Sequence, residues 1–239
     1  GSETSDEQRF LDTATPEGGT VLTGVGLPIG FNFVFNGVVY DRFAVNNNGW
    51  ISLGMSSLGA AAVNMNSTSS YTPTRSTSTA VSDALVARIS GLGRDLQAQV
   101  GSTLRYELTG TAPNQVLVIQ FKNYKKYGTT GTGDSFNCQI RLNETSNLVE
   151  IVYGTQVNNA TSSTYDVGLR ASPAVAATNF NSRTSTTSWS ATTSSVDALG
   201  AITMDATIMP ASGLTFTWTP PSCPGVTGIT LTSLTSNSA

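Results

Sequence analysis

Residues 31–54 read FNFVFNGVVYDRFAVNNNGWISLG. Phe31, Phe33 and Phe35 alternate with Asn32 and Val34, and Asn36-Gly37 follows directly before Val38-Val39-Tyr40. Two alternating runs joined by Asn-Gly predict a β-hairpin, because both turn residues must accept positive φ. A second turn cluster, Asn46-Asn47-Asn48-Gly49, leads into Trp50-Ile51-Ser52-Leu53. The chain therefore opens as an antiparallel meander, which sets an all-β class and names no ligand.

Working outward, strands are expected near 21–24, 29–36, 38–45 and 49–54. Residues 55–82 are rich in Ser and Thr and lack sustained periodicity. They read as a surface excursion with a short helical turn at 58–62. Regularity resumes at Ala84–Ile89, and Leu104, Tyr106 and Leu108 then alternate with Arg105 and Glu107. Val116–Phe121 begins apolar on both faces, as a central strand does. Residues 135–142 and 147–153 form a second hairpin across Asn143-Glu144-Thr145-Ser146. Tyr165, Val167 and Leu169 alternate again, and Leu214–Trp218 closes the series. Many short strands without an amphipathic helix predict a two-sheet antiparallel β-sandwich, jelly-roll-like, with long Ser/Thr-rich loops. Period-2 alternation assigns Phe31, Phe33, Phe35, Trp50, Ile119, Phe121, Cys138, Ile140, Ile151, Leu169 and Trp218 to the core. The sandwich is expected over 1–219, with a Pro-rich linker and one further strand over 220–239.

Only 11% of the 239 residues are charged, against roughly 25% in ordinary soluble domains. The surface is instead rich in hydroxyls and amides, the look of an extracellular β-protein. Net charge is −3 with acids and bases scattered, so no basic field exists for nucleic acid or anionic lipid. No apolar run reaches membrane-spanning length. The chain has no histidine, which removes Ser-His-Asp and Cys-His chemistry and most zinc sites. No cofactor is expected. Cys138 alternates with Phe136, Ile140 and Leu142 and reads as a core thiol. Cys223 lies in the Pro-rich run, so a disulfide between the two would have to join core to linker.

The ordered series IGFNFVFNGVVYDRFAVNNNGWISLG (29–54), GRDLQ (93–97), YELTGTAPNQVLVIQFKN (106–123), FNCQIRLNETSNLVEIVYG (136–154), VGLRAS (167–172), Trp189 with its flanking serines and FTWTPPSCP (216–224) resembles a known family. It is similar to the β-sandwich ectodomain of large secreted and surface-anchored bacterial proteins, often exported by the type IX system. Residues 222–239 resemble the first strand of a fibronectin type III repeat. The resemblance implies a module of a longer parent, secreted or on the bacterial cell surface, working in adhesion, display or glycan binding. It brings no catalytic residue, and the chain is expected not to be an enzyme. The competing readings are an accessory or catalytic domain of a secreted carbohydrate-active hydrolase, and a structural subunit of a surface filament.

The candidate ligand-binding residues are Lys122, Tyr124, Lys125, Lys126 and Tyr127, together with Trp189. All three lysines of the chain fall in that first segment, ahead of a Gly/Thr-rich loop. Tyrosine rings beside cations suit a surface glycan or an acidic polymer; a solubilising strand end explains the same residues. Tyr71 is a further aromatic in a polar stretch. Paired carboxylates for glycoside hydrolysis would come from Asp95, Glu107, Glu144, Glu150 or Asp166. Glu107 and Glu150 alternate with apolar residues, so each should face solvent or a partner such as Arg105 or Arg141. Asp134, with Asp95, is the nearest approach to a calcium site, but no spaced Asp-x-Asp run exists. Asn66, Asn143 and Asn159 head formal N-glycosylation sequons. Asp12-Thr13-Ala14 resembles the O-glycosylation motif of bacteria carrying this family, which makes Thr13 a candidate modification site. A strand near 225–239 is expected either to be mobile or to add to an exposed sheet edge.

Overall fold

Asn36 and Gly37 both take positive φ, 48° and 78°, and turn Leu27–Phe35 back onto Val38–Asn46. The computed structural model describes residues 8–12, 21–65, 71–75, 87–159, 162–171, 180–185, 187–195 and 200–220. In chain order the strands are β1 (Arg9–Phe10), β2 (Thr23–Gly24), β3 (Leu27–Phe35), β4 (Val38–Asn46), β5 (Trp50–Gly54), β6 (Val63–Asn64), β7 (Arg88–Gly93), β8 (Leu96–Gln97), β9 (Thr103–Thr109), β10 (Val116–Lys126), β11 (Phe136–Asn143), β12 (Val149–Tyr153), β13 (Ser163–Arg170), β14 (Phe180–Thr184), β15 (Thr193–Ser195), β16 (Ile202–Met204) and β17 (Thr215–Trp218). Strand accounts for 54% of the described residues. The helical pieces among them are short 3-10 segments at Ser56–Ala61, Gly128–Gly131 and Trp189–Ala191. The chain is all-β, as its alternation requires.

Two antiparallel sheets face each other, and neither closes into a barrel. In the first, β1 and β3 share one side of β4, followed by β5, β7, β13, β14 and β15, with β16 on β13. In the second, β8 and β9 share one side of β10, followed by β11, β12 and β17. The main core lies between them. Gly91 of β7 marks their close approach, since a Cβ there would sit 3.3 Å from Cys138 Sγ and 3.4 Å from Ile151. Tyr153 of β12 spans the gap and donates its hydroxyl to the Gly91 carbonyl at 2.7 Å.

Nine of the core residues assigned from alternation are buried; Phe31 and Leu169 are only half-buried at the margin. Phe31 lies in a register shift against β4 between Pro28 and Phe33, beside Gly30 with φ 99°, while odd positions of β3 keep facing inward.

The stretch read as a surface excursion is in part a cover. Val63 and Met65 pack with Leu11, Ala44 and Trp50 in a second cluster, away from the main core. Every residue of β5 and β7 is buried, so the middle of this sheet needs cover on both faces. Residues 71–75 are held down by Asp166. Its Oδ2 accepts from Thr74 N, Thr74 Oγ1 and Arg75 N, each at 3.2 Å, and its Oδ1 meets Arg75 Nε at 2.5 Å. Among the described residues no such cover lies over the second sheet, and its outer face opens as a groove.

Thr13, Cys223, the sequon at 66–68 and the expected strand at 225–239 lie outside the described residues.

Candidate functional site

The lysine segment is strand as far as Lys126. β10 runs through Lys126, and a bulge decides which of its side chains reach solvent. Phe121 pairs with Cys138 and Tyr124 with Phe136, so Lys122 and Asn123 together oppose Asn137 alone. Asn123 takes φ 60°, and its backbone N–H donates to Asn137 Oδ1 at 3.0 Å. Before the bulge odd residues point inward; after it, even ones do. Tyr124 and Lys126 therefore turn into the protein, while Lys122 and Lys125 stay on the outer side.

This corrects the sequence reading at three positions. Tyr124 is buried, edge-on to Phe121 with ring centroids 5.9 Å apart. Lys126 is buried: its Nζ donates to Asn158 Oδ1 at 2.6 Å and lies 3.6 Å from Asp134 Oδ2. Trp189 is 1% exposed. A 3-10 turn inserts its ring against Tyr153, at 5.1 Å, and stacks it on Phe216, at 6.4 Å, while Nε1 donates to the Thr203 carbonyl. A buried indole with its N–H satisfied is a packing residue. Tyr127 is 46% exposed, Lys122 is exposed and Lys125 is half-buried, its Nζ donating to the Gly128 carbonyl at 3.2 Å. Tyr71 is also exposed.

Asp134 is engaged inside the fold. Besides Lys126 Nζ it accepts from the backbone N–H of Lys126 (3.3 Å) and Asn159 (2.6 Å), which pins the loop that follows β10. Among the described residues no group of three or more His, Cys, Asp and Glu converges as a metal site would require. Cys138 is a buried free thiol, and burial pushes its pKa up to about 12. Asn143 is tied into its own hairpin, donating to Leu148 O at 3.3 Å and Glu150 Oε2 at 3.0 Å.

The outer face of β9–β12 forms a groove of about 720 Å3. One row across the strands reads Glu107, Val118, Arg141, Glu150 and Thr217; the next reads Arg105, Gln120, Gln139, Val152 and Thr215. Five strands at about 4.8 Å give such a row a length of about 19 Å. Arg141 donates from Nε and Nη2 to Gln139 Oε1, at 2.9 and 2.6 Å, and Asn143 braces Glu150. These side chains are thus held in place before any ligand arrives. The two arginines and two glutamates balance, so the added charge comes from Lys122, which continues the outer face of β10 past Gln120. Gln120, Gln139 and Asn143 were missed from sequence. The available signal was their shared parity: each sits at an outward position of a neighbouring strand.

A two-sheet sandwich whose first sheet is covered at its middle strands and whose second presents, among the described residues, a braced polar groove defines an all-β module with an open outer face. A family model described as NIDO related matches residues 10–220, and the chain belongs to that family. Membership supports an extracellular module of a larger protein. No curated protein and no solved structure matches the chain. No helix among the described residues is long and apolar enough to cross a membrane.

Proposed function

We propose that this chain is a non-catalytic extracellular module whose outer groove binds an acidic glycan or similar polymer, in the service of adhesion or display. The observation that carries this reading is the groove on β9–β12, lined by Arg105, Gln120, Gln139, Arg141 and Asn143 and continued by Lys122. Its volume falls within the roughly 300–1,000 Å3 of ligand sites. Amides and guanidinium groups suit hydroxyls and carboxylates, and the bracing hydrogen bonds lower the ordering cost of binding. The sequence resemblance adds a bacterial surface parent exported by the type IX system, with a fibronectin type III repeat beginning near residue 222.

A carbohydrate-active hydrolase is the competing class. Glu107 and Glu150 both line the groove. Three strand spacings put their backbones about 14 Å apart, with Arg141 between. In a glycosidase the two carboxyls flank one bond; here Arg141 stands between the pair in the row and Asn143 holds Glu150, which favours binding without cleavage.

The test is titration calorimetry with acidic polysaccharides at low and high salt. Wild type should bind more weakly as salt rises. Arg141→Ala and Lys122→Ala should each weaken binding several-fold. Affinity unchanged in both variants would remove the groove as the site, and release of reducing ends from a bound polymer would overturn the non-catalytic reading.

A further inference from the structure

Strand β9 reads Thr103-Leu104-Arg105-Tyr106-Glu107-Leu108-Thr109. About Tyr106 the sequence is a palindrome with one change: the arginine on one side is matched by a glutamate on the other. Thr103 mirrors Thr109, Leu104 mirrors Leu108, and Arg105 mirrors Glu107. The strand lies at the rim of its sheet and, among the described residues, pairs with β10 alone. Its other edge offers a row of backbone donors and acceptors, which is a template for another strand. Tyr106 and Leu108 are 45% and 39% exposed, unusual for inward-facing positions of a sandwich. Beside them a mainly apolar cleft of about 280 Å3 opens at the seam between the sheets, lined by Phe10, Leu27, Val45, Leu104, Tyr106 and Ile119, with Arg105 at its edge.

We propose that β9 is a self-recognition edge: two copies of this chain pair β9 against β9, antiparallel, about a two-fold axis at Tyr106. In that register Arg105 of each copy faces Glu107 of the other, which gives two opposite-charge pairs on the outer face. Leu104 faces Leu108 and Tyr106 faces Tyr106 on the inner face, where they extend the apolar strip. Antiparallel pairing also requires facing residues to present their backbone groups to the same side, so they must be separated by an even number of positions in the mirrored strand. A register centred on a residue meets this condition for every pair.

Charged side chains on an edge ordinarily deter pairing with other strands. Here the two signs are placed so that one strand is tolerated, namely a second copy in this register. Slipping by two residues brings like charges together or leaves them unmatched. A two-fold pair closes on itself, so this edge builds a dimer and not a filament. It also joins two outer grooves side by side, since Arg105 and Glu107 line each.

The test reads oligomeric state without ligand, so its failure is separate from that of the groove reading. In sedimentation velocity the wild type should move from 24.9 kDa toward twice that mass as concentration rises. R105E and E107R each set like charges against each other twice in the pair and should weaken the dimer by about tenfold or more. A 1:1 mixture of the two variants restores opposite charges at both positions and should dimerise about as well as wild type. The double swap R105E/E107R should do the same. A wild type monomeric up to about 1 mM, a dimer indifferent to either single variant, or a mixture that stays monomeric would each overturn the proposal.

Discussion

Asp166 makes the pH dependence of this fold calculable at one position. Its carboxyl lies in the interior of the first sheet and holds residues 71–75 through Thr74 and Arg75. Burial raises its pKa from 3.8 to about 6, outweighing the attraction of Arg75 and the Thr74 and Arg75 donors, which act the other way. Ionising it in the folded protein is then about 3 kcal/mol harder than in the unfolded chain, at 1.36 kcal/mol per pKa unit. The folded state holds this proton more tightly. The corresponding stability is fully present below pH 3.8 and is lost as pH rises through about 6. Asp166→Asn removes the titration while keeping an oxygen for Thr74. Urea unfolding of both proteins at intervals from pH 3.5 to 7 isolates the effect, because the remaining carboxylates cancel in the difference. Wild type should gain on the variant by about 3 kcal/mol as pH falls through that window. Parallel curves would refute the argument. A wild type that loses ground as pH falls would show that the Arg75 pair outweighs burial.

Three further outcomes follow from side chains that sequence assigned to the surface. Trp189→Ala should cost about 3–5 kcal/mol in urea unfolding, as loss of a buried aromatic does, while polysaccharide binding by the folded fraction stays at the wild-type level. Lys126→Met should leave Asp134 buried without its cation and lower stability by about 3 kcal/mol, read as a lowered thermal midpoint. Lys122→Ala should leave that midpoint within about 1 °C of wild type, because exposed charges contribute little.

The fold was legible because its signals are local. Asn36-Gly37 needs no tertiary context to turn, and the alternations in 116–121 and 136–142 survive into Val116–Lys126 and Phe136–Asn143. The errors share a cause. Trp189 has no apolar neighbours in sequence to give it a period, and the residues that enclose it, Tyr153 and Phe216, lie far along the chain. The same holds for the cover at 55–65. Val63 and Met65 alternate over only three residues, too short a run to read, and find Trp50 and Leu11 only after folding. Non-local burial in irregular segments leaves little trace in a sequence. The groove lies between these cases. Arg105, Arg141, Glu107 and Glu150 were legible as outward residues, but their meeting on one face depends on the strand order β9–β10–β11–β12.

Asn123 shows how one residue decides which side chains of a strand face solvent. Without the bulge, odd parity would continue past Phe121, and Lys125 would point inward while Tyr124 and Lys126 faced solvent. One inserted residue reverses all three. It does so firmly, because the Asn123 carbonyl accepts from Gln99 Nε2 and Ser102 Oγ, and its side chain donates to the Val100 carbonyl at 3.0 Å. Residues 99–102, which lead into β9, thus fix the parity of β10. The sequence did carry the mark: Leu117, Ile119 and Phe121 are spaced by two, and the next buried aromatic, Tyr124, comes after three. A break in period between residues of like character is the trace of a bulge. Here it divides the lysines into Lys126, which holds the loop from within, and Lys122 and Lys125, which remain outside.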